Sequence, residues 1–336
     1  MKPVLLYYNI LNFRDYNLEI IDRYFNRRTL EDPSELTDEA LEDVEVLFAP
    51  LGFFCGEELI SKAKSLKVIA SNTTGIPHID AEAAKKAGVY VASLAGQTAF
   101  LETITPTAEH TWGLMLAVIR HTPWAFQSVL EGKWSRWPFG APKMLSRMSL
   151  GIVGMGRLGK IVVKYAKAFG MSSVFYDPYV DQAPLKSCKK VDKLEDLLKC
   201  SEVVSLHVPL NDETENMIDS AMFEHFQQGS YLINTARGAV VNTKAMLKAL
   251  NSGKLLGVGL DVMDDEFERD FDKGVGEHPL IEYAKTHDNL LITPHIAGST
   301  VDAWSRTQEY TIYMALDHLG LAEFPDDFPR PLEVKP

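Results

Sequence analysis

The sequence predicts an α/β protein built on two parallel sheets, the larger of them doubly wound. Three observations carry that expectation. Before residue 100, short apolar runs alternate with helical patterns, the rhythm of strand–helix–strand units. At 151–159 stands Gly151-Ile152-Val153-Gly154-Met155-Gly156-Arg157-Leu158-Gly159, preceded by an apolar run and followed by a helical pattern, a second apolar run and then Asp177. Beyond it, four more short strand candidates are separated by helical segments, as in sheets whose chain winds out in both directions from a central strand.

The elements follow from pattern. In the first part of the chain, strands are expected at 4–8, 44–49, 67–71 and 89–92, and helices at 57–64 and 79–86 with Gly88 as the stop. A long helix is expected from Pro106: Thr105 can cap it, proline suits its first turn, and Pro123 should break it. Trp112, Leu114, Met115, Leu116, Val118 and Ile119 run round most of its circumference. A helix apolar all round is buried on several sides, so an inter-domain or inter-subunit role is expected. The second series places strands at 150–153, 174–177, 203–208, 230–234, 257–262 and 290–293, with helices at 158–169, 193–199 and 243–250. A last helix, 300–319, should pack back on the first unit, and the tail from Pro325 should be irregular.

Bulk properties narrow the class. A chain of 336 residues exceeds one typical domain, and two is the natural count. Its 46 acidic against 34 basic residues give a net charge of -12, which argues against nucleic acid and anionic membranes as partners. No apolar run approaches the roughly 20 residues of a membrane span. Residues 1–10 read as a first strand rather than a signal peptide. Cys55, Cys188 and Cys200 are odd in number and lack metal-type spacing, so reduced thiols, a cytoplasmic setting and no metal site are expected.

The glycine turn carries chemistry. Gly154, Gly156 and Gly159 have G-x-G-x-x-G spacing. The first would make a tight turn, the second would let backbone approach a pyrophosphate, and the third would let helix and strand pack closely. The anion would sit on the helix N-terminus, beside Arg157 and Leu158. Asp177 then suits the adenosine ribose hydroxyls of NAD, and would repel the extra phosphate of NADP. Ligands of open parallel sheets bind beyond the carboxyl ends of the strands. Those ends hold His207-Val208-Pro209-Leu210, Asn234-Thr235-Ala236-Arg237-Gly238, Asp261 and Thr293-Pro294-His295, with Glu266 five residues after Asp261. A cation for a carboxylate, a histidine for a proton and an acid to orient it are what hydride transfer at a hydroxyl beside a carboxylate requires.

With those motifs, and with Leu260-Asp261-Val262, the chain resembles the D-isomer-specific 2-hydroxyacid dehydrogenases over roughly residues 40–320. The resemblance implies a catalytic set of Arg237, Glu266 and His295. Arg237 would hold the substrate carboxylate and polarise the 2-oxygen. His295 would exchange the hydroxyl proton, and Glu266 would pair with the imidazole and favour its protonated form. NAD is the implied cofactor. Its groove would be lined by Gly154, Gly156, Arg157, Leu158, Gly159, Asp177, His207, Val208, Pro209, Thr214, Thr235, Ala236, Asp261, His295 and Gly298. Backbone groups of Thr74 and Gly75 would join Arg237 and His295 at the substrate. The implied fold is a Rossmann-type doubly wound cofactor domain, 103–297, plus a smaller discontinuous flavodoxin-like substrate domain, 1–102 with 298–336. A homodimer joined through the cofactor domain is implied as well.

Two stretches depart from the family pattern. Residues 97–107 run several residues longer than the usual link, and 267–277 replace the usual proline and brief loop after the acid. No regulatory domain is expected after Leu321. Two other readings share the fold: an NAD-sensing scaffold, and a dehydrogenase of a non-carbon substrate such as phosphite. A pure sensor would not need the Arg237, Glu266 and His295 set.

Overall fold

A computed structural model describes residues 2–268 and 271–331. The chain divides into two compact units, Met1–Ile104 with Ser299–Pro336, and Thr105–Gly298.

The first unit holds five strands: β1 (Val4–Tyr8), β2 (Asn26–Leu30), β3 (Val44–Phe48), β4 (Val68–Ser71) and β5 (Tyr90–Ser93). All pair in parallel, in the order β2-β1-β3-β4-β5. That is the flavodoxin-like order. The inner strands read as apolar runs because helices cover both faces of such a sheet. β2 escaped the sequence reading for a physical reason. It is an edge strand, Asn-Arg-Arg-Thr-Leu, and it buries little. Arg27 and Arg28 there pair with Asp22 and Asp43, so hydrophobic periodicity has nothing to register. The longer stretch after Gly96 is taken up by the short helix Thr98–Leu101, which buries Phe100 and Leu101.

The C-terminal helix Val301–His318 belongs to this unit and packs on β4, β5 and the helix Asp15–Tyr24. Tyr310 stacks on Phe100 with centroids 4.0 Å apart. Phe324 and Phe328 meet Tyr310 edge-on. The start of the tail is therefore irregular in backbone but buried in side chain, and its residues 332–336 lie outside those described.

The second unit holds seven strands: β6 (Ser149–Val153), β7 (Ser172–Tyr176), β8 (Cys188–Lys190), β9 (Val203–Leu206), β10 (Ser230–Asn234), β11 (Leu255–Leu260) and β12 (Leu290–Ile292). They are parallel, in the order β12-β11-β10-β9-β6-β7-β8. The chain starts at β6, winds out through β7 and β8, and returns to the other side at β9. The point where the order reverses is where such sheets take ligands. The edge strand β8, Cys-Lys-Lys, was again too short and polar to read from sequence.

One expectation needs correction, and it concerns the cap of the helix Pro106–Ile119, which packs within its own unit. It lies on β10, β11, β12 and the helix Arg157–Ala168, and Trp112, Leu114, Met115, Val118 and Ile119 are all buried there. Its apolar girth is used up inside its own unit. Thr105 does not cap it through its side chain; the hydroxyl donates instead to Glu109 Oε1 at 2.5 Å. Among the described residues, no helix is long and apolar enough to cross a membrane.

The aromatic stack ties the last helix to the first unit, so Phe100→Ala should be costly. Removing a fully buried phenylalanine typically costs about 3–5 kcal/mol. Urea denaturation followed by circular dichroism should show a loss of that size. A loss below about 1 kcal/mol would mean that the stack contributes little beyond surface burial.

Candidate active site

The glycine turn joins β6 to the helix Arg157–Ala168. Gly154 has φ +92°, a backbone that L-residues rarely adopt, and a Cβ there would stand 2.8 Å from the carbonyl carbon of His207. A Cβ on Gly159 would stand 2.3 Å from the Gly154 carbonyl oxygen. Only glycine lets this helix begin so close to its strand. Gly156 is different: a Cβ there would meet nothing within 4 Å, so its backbone faces open space at the helix N-terminus. The first helical turn contains no acidic residue. Its first position is Arg157, whose guanidinium pKa is lowered by burial. A cation at the positive end of a helix is unfavourable by itself. Open backbone, uncompensated dipole and a nearby cation together fit an anionic group such as a pyrophosphate.

The neighbouring strand ends flank this turn. Asp177 follows β7, and its carboxylate accepts from Met155 N at 2.7 Å and Tyr179 N at 2.8 Å. The acid is thus locked onto the glycine turn. On the other side, His207 follows β9. Its Nε2 bonds Ser205 Oγ at 2.9 Å, and burial pushes its pKa down to about 4. Its Nδ1 is buried with no partner among the described residues, which suits a groove completed by a ligand. Val208 is half-buried and Pro209 is exposed. Thr214 is spent on its own loop, donating to Pro209 O at 2.6 Å and accepting from Asn211 N at 2.9 Å. These bonds shape the loop.

The ends of β10, β11 and β12 hold the acid–base candidates. Arg237 is exposed just beyond β10, giving one N–H to Ala236 O at 2.6 Å. Buried Asn234 fixes this turn by accepting from Ala236 N and donating to Arg237 O, both at 2.9 Å. A Cβ on Gly238 would stand 2.1 Å from the Met263 carbonyl carbon. The Arg237 turn therefore lies directly against the segment that leads to Glu266. Glu266 Oε2 in turn is 2.9 Å from His295 Nδ1. The glutamate is largely shielded and the histidine more open, at 12% and 38% side-chain exposure.

His295 sits at φ +52°. A left-handed non-glycine residue costs of order 1–3 kcal/mol and persists where its surroundings impose it. Here the imposing group is Asp261, which is 1% exposed. It accepts from Thr293 Oγ1 at 2.5 Å, Ile296 N at 3.0 Å and Ala297 N at 2.7 Å. Burial alone would raise its pKa, but hydrogen bonds from His110, Thr293, Ala297 and Ile296 outweigh that and hold it below the usual value. Asp261 is expected to lie beside the cofactor; in the structure its oxygens brace the His295 segment.

Four other candidates lie elsewhere along the strand ends and loops. The Thr235 hydroxyl is tied to Thr111 Oγ1 at 2.7 Å. Gly298 is exposed at the end of the unit. Thr74 and Gly75 are exposed in the first unit beyond β4, in a loop braced by Ser71, Thr73 and buried His78. The long segment after Glu266 follows a left-handed residue at Asp265, φ +60°. It sets the Phe267 ring 5.4 Å from the His295 ring; residues 269 and 270 lie outside those described. His110 and Thr111 were missed as site-supporting residues. They lie on an apolar helix, and only their packing against strand ends reveals them.

Comparison with known proteins places this geometry. A family model for the D-isomer specific 2-hydroxyacid dehydrogenase, NAD binding domain, matches residues 112–297. A hydroxypyruvate reductase of Thermotoga maritima is 33% identical over 296 residues, covering 85% of this chain and 92% of that protein. A D-3-phosphoglycerate dehydrogenase of Methanocaldococcus jannaschii is 35% identical over 267 residues, 79% of this chain but 48% of its own length. The chain thus spans about half the length of that relative. Among solved structures, D-lactate dehydrogenase from Aquifex aeolicus, complexed with NAD and lactic acid, superposes with a TM-score of 0.78. It is 30% identical, with 95% of this chain and 96% of that one covered.

Half-buried His207 generates a pH prediction. Its folded pKa, about 4, lies below the ordinary 6.5, so the unfolded chain binds the extra proton first. The stability linked to this group is complete above about 6.5 and is lost as pH falls toward about 4. Urea midpoints of wild type and His207→Gln, taken at about pH 7.5 and about pH 5, should therefore show the wild type losing more on acidification. A wild-type-minus-variant difference that does not change with pH would contradict the assignment.

Proposed function

Because the chain belongs to the D-isomer specific 2-hydroxyacid dehydrogenase family, we propose that it interconverts a D-2-hydroxy acid and its 2-oxo acid with NAD. The observation that carries this reading is the Glu266–His295 pair at 2.9 Å, on a segment packed against the Arg237 turn. NAD, when bound, supplies the hydride acceptor or donor. The glycine turn would hold its pyrophosphate, and Asp177 its adenosine ribose.

The residues divide the remaining work. The Arg237 fork grips the substrate carboxylate, which fixes the adjacent carbon and polarises its oxygen. Glu266 holds His295 through Nδ1, so Nδ1–H is the tautomer it favours and Nε2 is left to face the substrate. In oxidation Nε2 takes the hydroxyl proton, and the imidazolium forms beside a carboxylate that stabilises it. In reduction the same nitrogen returns the proton.

We assign a homodimer and a cytoplasmic setting to the same reading. Phe126, Leu130, Trp134, Trp137 and Met144 are exposed on the helix Thr122–Leu130 and the segment after it. Exposed apolar side chains concentrated in one stretch of the chain suit a second copy of it. The free Cys55, Cys188 and Cys200 agree with a reducing compartment.

A panel of 2-oxo acids assayed with NADH tests the reaction; no turnover with any of them would overturn it. Arg237→Lys keeps the charge and loses the fork, so kcat/KM should fall by about 10²-fold or more while NADH binding, followed by fluorescence, stays nearly constant. An equal loss of NADH affinity would make Arg237 a cofactor residue. Cofactor choice gives a separate check: wild type should strongly prefer NADH to NADPH, and Asp177→Ala should weaken NADH and narrow the gap. Equal use of both by wild type would remove Asp177 from that role.

A further inference from the structure

The segment carrying His295 is secured from a helix that lies far away in sequence. Thr293 Oγ1 gives its proton to Asp261 Oδ1 at 2.5 Å. It is therefore an acceptor toward His110 Nε2, which stands 2.9 Å away. The same Nε2 is 3.4 Å from Asp261 Oδ1. His110 thus donates into the junction where strand end and carboxylate meet. The same Oδ1 takes the N–H of Ile296, and Oδ2 takes that of Ala297, the two residues after His295.

We propose that His110 is a positioning residue for His295, acting through Thr293 and Asp261. His295 keeps φ +52° only while the residues on both sides of it are anchored. The anchor is one buried carboxylate, and that carboxylate is held in place by its donors. Loosening Thr293 and Asp261 lets the backbone at 295 relax toward ordinary φ, and the imidazole leaves Glu266. The next residue on the helix repeats the device, since Thr111 bonds Thr235 beside the Arg237 turn at 2.7 Å. One helical turn therefore steadies both strand ends on which the chemistry depends.

The proposal rests on His295 as the proton-transfer group, and the test separates the two. In the cofactor-free protein, hydrogen–deuterium exchange at the Ile296 and Ala297 amides should accelerate by about tenfold or more in His110→Ala, with the sheet amides unchanged. In turnover, kcat should fall on the order of 10²-fold, the scale of an ångström's misplacement, while NADH affinity holds. His110→Gln can donate from nearly the same place and should recover most of both effects. Thr293→Val breaks the same chain of bonds from the other side and should match His110→Ala. The double variant should then be little worse than either single one. If His110→Ala does not fold, Thr293→Val decides alone. Unaltered exchange at Ile296 and Ala297, a parallel loss of NADH affinity, or additive effects in the double variant would each overturn the proposal. A fully active His295→Ala would overturn the proton-transfer assignment itself. An inactive His295→Ala beside a fully active His110→Ala would sink the positioning role alone.

Discussion

A carboxylate taken almost wholly out of water organises the functional end of the larger sheet. Asp261 is 1% exposed, and an ionised group in that position is tolerable only if hydrogen bonds replace its water. Those available are the hydroxyl of Thr293, the N–H groups of Ile296 and Ala297, and the imidazole of His110. They bring the end of β11, the end of β12, the turn beyond it and the helix Pro106–Ile119 to one point. The backbone at His295 is a consequence. Its left-handed conformation is costly by itself and is imposed by neighbours bonded to the buried carboxylate.

Close backbone approach is the second constraint. Gly154 faces His207, Gly159 faces Gly154, and Gly238 faces Met263, each at a distance that leaves no room for a Cβ. These are the places where a loop must lie on another loop so that side chains from different strand ends can work together. The Arg237 turn can touch the segment leading to Glu266 only because residue 238 has no side chain. The glycines at 154 and 159 do the same for the cofactor turn, and leave the helix N-terminus facing outward at Gly156.

Two kinds of surface in the second unit then divide the work. The turn at Gly154–Gly159 has backbone donors and a cation where an anion would lie. The ends of β10 to β12 have a guanidinium and a paired imidazole where a carboxylate and a proton would be handled. Both kinds stand at the carboxyl edge of one parallel sheet, which is why a single βα series can supply them.

Much of this was legible in the chain itself. The inner strands, the glycine turn and the order of strand and helix follow from local patterns, because a parallel strand buried on both faces has to be continuously apolar. The edge strands β2 and β8 were not legible, since an edge strand has little to bury and carries polar residues. Motifs marked Arg237, Glu266 and His295 as residues of interest, but the pairing of Glu266 with His295 at 2.9 Å is a long-range contact that no local pattern encodes. The same holds for Pro106–Ile119. Sequence established that it is apolar all round, and only tertiary packing showed that its own sheet and a neighbouring helix consume that surface. His110 and Thr111 on that helix gain their meaning from strand ends more than a hundred residues away. Sequence by itself determined the local architecture, which depends on neighbours in the chain. The folded structure decided which buried polar groups meet, because that depends on which strand ends a helix crosses.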